Sequence, residues 1–395
     1  MSEIKLADWM SRLGTEGAFV VLARAKELEA QGKEIIHMQI GEPDFETPTN
    51  IVEKAKWALD HGYHHYTPSQ GTIELREVVA DYLSKTRPPT KWDASEIMIA
   101  PGGKPVIVAA IMALLNPGDE VLLPNPTYPA YNSFISFIGA KSVPVPVLEE
   151  KDFRFDVKDL KERVTDKTRM IFLNSPSNPT GGFLTMEDYE EIAEVVKKHN
   201  LIVFSDEIYS RMIYDGEHAS ISQIPGMKEH TIILDGFSKT YAMTGWRLGY
   251  GAGPKPIIDA MTKIMLNTVS CTNTATQIAG IEALTGPQDA VDKMVAEFSK
   301  RREIIVEGLN RLPGFSCKKP KGAFYVFPNI KGTGMKSREL MEYLLSDAGV
   351  ACLPGTDFGQ YGEGYLRFSY ATSVENIKKA LHKIEEALKK LPVKA

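Results

Sequence analysis

Between about residues 95 and 255 the chain repeats one alternation. Short, continuously apolar, β-prone runs at residues 96–100, 120–123, 170–173, 201–204, 231–234 and 247–250 are separated by stretches of helical periodicity. Apolarity without alternation marks strands covered on both faces. In one intervening stretch, Thr185 and Asp188 have capping-box spacing, and Tyr189, Ile192, Val195 and Val196 then form one apolar face. Strand and helix in turn predict an α/β fold with a mostly parallel sheet wrapped by helices.

After about residue 290 the pattern changes. Residues 322–327 and 364–369 read as strands, and from Ser373 the residues Ile377, Leu381, Ile384, Leu388 and Leu391 line one helical face. This predicts a smaller α+β domain, entered within the charged helical stretch 292–302. The first 45 residues carry one helix, about residues 19–31, and then the short run 37–41; they are expected to pack with the small domain. The division expected is 1–45 as N-terminal arm and part of the small domain, 46–290 as the large domain and 291–395 as the C-terminal small domain.

Composition narrows the class. The chain has 395 residues, 43% hydrophobic and 25% charged, the balance of a soluble globular protein. A net charge of −5 gives no reason to expect nucleic acid or an anionic membrane as partner. The longest apolar run covers residues 106–115, well short of the roughly 18 residues a membrane span needs, and predicts a buried helix. The N-terminal residues lack a basic region followed by an apolar core, so no secretory signal is expected. Cys271, Cys317 and Cys352 are odd in number and widely spaced, which argues against a disulfide framework, suits a reducing cytoplasm and offers no zinc pattern.

Four segments place unusual polar groups at the ends of strands. Pro101-Gly-Gly-Lys-Pro105 precedes the apolar helix; its glycines admit close backbone approach, and the helix N-terminus suits a phosphate. Asn174-Ser-Pro-Ser-Asn178-Pro-Thr-Gly181 is a proline-stiffened loop that aims Asn178, though its dipeptides also occur in plain turns. Asp206-Glu-Ile-Tyr209 ends a strand, where an aspartate often only caps a helix. Asp235-Gly-Phe-Ser-Lys239 carries a lysine at a strand's carboxyl edge, and Arg247 follows eight residues later. Lysine is the side chain that makes a Schiff base with an aldehyde cofactor, and arginine suits a phosphate fork.

In order and spacing, Asn178-Pro-Thr-Gly181, Asp206-Glu-Ile-Tyr209, Ser238-Lys239 and Gly245-Trp-Arg247 resemble the class I/II, fold-type I pyridoxal-phosphate aminotransferases, near the aspartate and aromatic aminotransferase group. The likeness runs from Ile40-Gly-Glu-Pro-Asp44 through Tyr66-Thr-Pro-Ser-Gln-Gly71 to Leu366-Arg-Phe-Ser369. It implies a large domain with a mostly parallel seven-stranded sheet flanked by helices, plus a smaller α+β domain. It implies pyridoxal 5′-phosphate held on Lys239 as a Schiff base, with the freed amine as proton shuttle. Asp206 would pair with the ring nitrogen, and Tyr209 and Asn178 would meet the ring hydroxyl oxygen. Gly102, Gly103, Lys104, Ser238 and Arg247 would hold the phosphate, and Tyr128 would stack on the ring where relatives often carry tryptophan. Tyr66 would reach the phosphate of a neighbouring subunit, implying a homodimer with shared sites. Arg367 would fork the substrate carboxylate, assisted by Asn178 and the Gly41 backbone.

Other features carry less. Gly249-Tyr-Gly-Ala-Gly253 lacks dinucleotide spacing, and Tyr82 with Lys85 has no nucleotide loop before it. His61, His64 and His65 have no ligand-spaced acidic or cysteine partners, so no metal is expected. Two alternatives to transamination stand: a carbon–sulfur β-lyase on the same residues, and a non-catalytic regulatory domain of the same fold. The second predicts a lost lysine or an attached DNA-binding segment. Lys239 is present, and the short N-terminal stretch leaves no room for a winged helix.

Overall fold

The computed structural model describes residues 4–391; Met1–Glu3 and the last four residues lie outside them. Its large sheet runs, in spatial order, Ile97–Ala100, Gly249–Ala252, Thr231–Gly236, Ile202–Asp206, Thr168–Asn174, Glu120–Asn125, Lys141–Leu148 and Arg154–Phe155. Five consecutive members, from Thr231–Gly236 to Lys141–Leu148, are parallel. Gly249–Ala252 is antiparallel to both its neighbours, and Arg154–Phe155 is antiparallel to Lys141–Leu148. The two-residue strand at the far edge adds an eighth member to the seven long ones.

Continuous apolarity is explained by period-two sorting. Val121 and Leu123, Met170 and Phe172, and Ile232 and Leu234 face one core, against the Gly103–Leu114 and Lys255–Thr268 helices. Leu122, Ile171, Leu173 and Val203 face another, against the Met186–His199 helix, whose capping box joins Thr185 and Asp188. Ile97, Ile99 and Ile233 face a third, against the Thr49–Asp60, Ile73–Thr86 and Thr274–Thr285 helices. Both faces are dry over the middles of these strands, so successive residues there are apolar.

Two strand expectations shift, and one strand was not expected. The run at 247–250 becomes Gly249–Ala252 because Arg247 stands at φ 55°, a left-handed conformation that cannot extend a strand. The run at 322–327 keeps only Tyr325–Val326, with Ala323 at φ 57° breaking its start. Lys141–Leu148 was hidden by Pro144 and Pro146. Over residues 141–146 its outer side has no strand partner among the described residues, so the missing N–H groups break no ladder.

A fourth core gathers Tyr325, Val326, Leu366, Phe368, Ile377 and Ile384 with Val21, Ala25 and Leu28 of the Gly17–Ala30 helix. Ile36–His37 pairs in parallel with Val350–Ala351. The Asp289–Leu309 helix links the two regions without a break: Val291 enters the core beneath the large sheet, and Met294, Phe298 and Ile305 enter the fourth core.

Phe172 is fully buried, with its ring centroid 4.7 Å from Phe204 and 5.0 Å from Tyr131. Phe172→Ala is expected to lower unfolding free energy by about 3–5 kcal/mol in urea denaturation. A loss below about 1 kcal/mol would mean the three-ring stack is not a packed unit.

Candidate active site

The parallel strands end on one side of the sheet, and a cavity of about 360 Å³ opens there. Lys239, Asp206, Tyr209, Asn178, Tyr128, Ser238, Arg247, Gly103, Lys104, Gly41 and Arg367 all line it. Two expected residues do not. Gly102 lies just behind the wall, at φ 94°, and a Cβ there would stand 2.3 Å from Nη2 of Arg247. Its hydrogen is what lets the guanidinium lie against the backbone. Tyr66 is 90% exposed and stands outside the cavity.

Each wall is set by local chemistry. Asn174, the last residue of its strand, donates from Nδ2 to the Asp206 carbonyl at 3.1 Å and accepts the Asn178 N–H at 2.8 Å. That fixes the loop, and Asn178 Oδ1 then accepts from Arg367 Nη1 at 3.1 Å. Arg367 Nη2 also donates to the Gln39 carbonyl, and its guanidinium lies 4.6 Å from the Tyr325 ring and 5.1 Å from Phe358. Lys239 Nζ donates to the Gly41 carbonyl at 2.5 Å. Arg247 is held by its Nη1 donating to the Thr244 carbonyl at 2.7 Å.

Burial tunes these groups. It pushes Asp206 up to about 7, against the hydrogen bonds from Tyr131 and the Ile208 N–H that draw it down. It pushes Lys239 down to about 8, with Arg367 and Arg247 adding to the effect and Glu42 opposing it. A lysine so poised has a real neutral fraction near pH 8, which a nucleophilic amine needs. Burial also pushes Tyr209 and Tyr128 well above the usual phenol range, so both are neutral hydroxyls.

A buried amine, a buried carboxylate, a phosphate-sized set of donors and a carboxylate fork therefore share one cavity. The family model described as Aminotransferase class I and II matches residues 33–384. The chain belongs to that family. It is 44% identical to an aspartate aminotransferase of Pyrococcus abyssi, over 92% of this chain and 94% of the relative. It is 43% identical to aromatic-amino-acid aminotransferase 2 of Thermococcus litoralis, over 91% and 93%. Among solved structures, an aspartate aminotransferase from Rhizobium meliloti superposes with a TM-score of 0.95 at 35% identity, covering 99% of this chain and all of that one. The protein is a pyridoxal-phosphate-dependent aminotransferase of fold type I.

The donor set fits that cofactor. Lys239 could meet a carbonyl carbon's needs and Asp206 those of a ring nitrogen, and Gly103, at the start of the Gly103–Leu114 helix, lines the same cavity as Ser238 and Arg247. Several site residues of this aminotransferase escaped the sequence reading. Tyr131 donates to Asp206 Oδ2 at 2.5 Å; its place one helical turn after Tyr128 was the available signal. Tyr325 shares a 2.8 Å hydrogen bond with the Tyr209 hydroxyl, and a Cβ on Gly41 would collide with its oxygen. It was one aromatic in a run of them. Phe324 does not line the cavity; it packs against Tyr209, with ring centroids 5.5 Å apart. Glu16, outside any motif, pairs with Lys104 and accepts from the Tyr128 hydroxyl at 3.2 Å. His61 and His64 bond the backbone carbonyls of Trp57 and Leu59, and no metal-holding cluster occurs among the described residues.

The Asp206 carboxyl gives a pH prediction. Its folded pKa of about 7 lies above the ordinary 3.8, so folding favours the protonated form. Its stabilisation is full below the unfolded pKa and is lost as pH rises through about 7. Cofactor-free wild-type protein should therefore lose more urea stability between pH 5 and pH 8 than cofactor-free Asp206→Asn. Equal losses would show that Asp206 is not held protonated.

Proposed function

We propose that the enzyme moves the amino group of aspartate, aromatic or similar L-amino acids to a 2-oxo acid such as 2-oxoglutarate, in alternating half-reactions on one site. The observation that carries this reading is the joint placement of Lys239, Asp206 and Arg367 around one cavity. Arg367 would bind the substrate α-carboxylate, with Asn178 and the Gly41 backbone completing the cradle. When bound, pyridoxal phosphate supplies an electron-withdrawing ring that stabilises negative charge on the substrate α-carbon. Asp206 would hold the proton on its ring nitrogen, kept in register by Tyr131. Tyr209 and Asn178 would face its hydroxyl oxygen, and Tyr128 its ring face. Ser238, Arg247, Lys104 and the Gly102–Gly103 backbone would take its phosphate. The Lys239 amine, once released, would carry the proton to and from the α-carbon.

We further propose a homodimer. Tyr66 is exposed, as are the apolar side chains Trp57, Leu59 and Tyr63 that precede it in the chain, and a second copy's site would receive it. The arm and C-terminal region, 1–45 and 291–395, would act as the small domain, carrying Arg367 toward the large domain of 46–290. A cytoplasmic location is supported by three free cysteines. No helix of the described residues is long and apolar enough to cross a membrane.

Substrate choice turns on the far end of the cavity. The cavity lining includes Phe19, Ile40 and Phe358, and the cation of Lys104 is already paired with Glu16. That arrangement supports large apolar side chains over dicarboxylates. A panel of donors with 2-oxoglutarate should give higher kcat/KM for phenylalanine and tyrosine than for aspartate. Glu16→Ser, which removes a negative charge from the cavity lining, should raise the aspartate value by up to about tenfold while leaving phenylalanine little changed. An unchanged ratio would remove Glu16 from specificity. Pyruvate and ammonia released without any acceptor-dependent turnover would favour the β-lyase.

A further inference from the structure

Behind the cavity lies a second, sealed cluster of charges. Arg87, at the C-terminal end of the Ile73–Thr86 helix, is fully buried. Its Nε donates to Glu207 Oε2 at 2.7 Å, its Nη2 to Asp235 Oδ2 at 2.8 Å and its Nη1 to Thr86 Oγ1 at 2.8 Å. Glu207 also accepts from Ser205, Ser220 and His218, at 2.9, 2.6 and 3.0 Å. Asp235 also accepts from Ser210 Oγ at 3.1 Å and from the Gly236 N–H at 2.7 Å. Burial presses Glu207 upward, but Arg87 and the bonds from His218 and Ser220 hold it down at about 2. Asp235 is pushed up by burial with Arg87 opposing, so of the two carboxylates Glu207 carries the firmer charge.

The cluster sits directly behind the site residues. Asp206 and Tyr209 line the cavity, and the residues that follow them, Glu207 and Ser210, bond into the cluster. Asp235 begins the segment that reaches Lys239 four residues later. The two strand ends are already joined by the Glu207 N–H on the Leu234 carbonyl at 2.8 Å. Arg87 adds a planar fork with one arm on each strand, whose spacing a single point charge cannot reproduce.

We infer that Arg87 is a positioning residue for the cofactor site: by tying Glu207 to Asp235 it fixes Asp206 and Tyr209 on one strand end relative to Lys239 on the next. It touches neither substrate nor cofactor, and breaking it leaves two buried carboxylates without their shared cation. The inference rests on Lys239 and Asp206 forming the cofactor site.

The test is binding of pyridoxal phosphate to cofactor-free protein, followed by absorbance, for wild type, Arg87→Met, Arg87→Lys and Glu207→Gln. Urea unfolding of the cofactor-free forms is measured alongside. Arg87→Met should bind about 10- to 100-fold more weakly, as loss of an outer partner does at other preorganised sites. Arg87→Lys, with charge but no fork, should fall between. If Arg87→Met does not fold, Arg87→Lys and Glu207→Gln carry the test, each expected to weaken binding several-fold. A purely structural role would lower urea stability while leaving the dissociation constant of every folded variant within twofold of wild type, and that result would overturn the inference. Failure of the wild type itself to bind would instead overturn the cofactor-site reading.

Discussion

A carboxylate sealed from water is tolerated only where hydrogen bonds or a cation compensate it. Asp206 meets that constraint incompletely: it has the Tyr131 hydroxyl and the Ile208 N–H, and burial still lifts it to about 7. What it lacks is a positive partner. In a cavity also lined by Lys239, Arg247 and Arg367, a protonated ring nitrogen would supply one. Much of the surrounding structure serves this single demand, from the three-ring stack that backs Tyr131 to the Arg87 fork behind Glu207.

The sheet turns that demand into geometry. Parallel strands deliver their carboxyl ends to one edge, and consecutive strands contribute Asn174, Asp206 and the segment leading to Lys239. Period-two alternation then divides labour within a strand end. Asp206 enters the cavity, while Glu207 leaves it and is bonded from behind. Arg367 comes from a different core, through a strand that pairs with Leu353–Pro354. Arg367 and Asp206 thus come from separately packed regions and line one cavity.

Much of this was legible in the residues alone. Continuous apolar runs marked the central strands because both sheet faces are dry, and polar residues at strand ends marked the site because such ends have nothing else to bury. Lys141–Leu148 escaped because its prolines signal an interruption except on an open edge. Arg247 was read into a strand because its left-handed backbone leaves no mark in the sequence. Tyr325 and Glu16 act through tertiary contacts, which no local pattern encodes. Arg87 is the extreme case: one arginine at a helix end, whose two carboxylate partners lie more than a hundred positions away.

The account stands most directly on which atom bears the cofactor. Borohydride reduction of the pyridoxal-phosphate-loaded protein, followed by proteolysis and mass mapping, should place the cofactor's mass on Lys239 alone. Label on Lys104 or another lysine, or no fixed label in a protein that has taken up the cofactor, would contradict it.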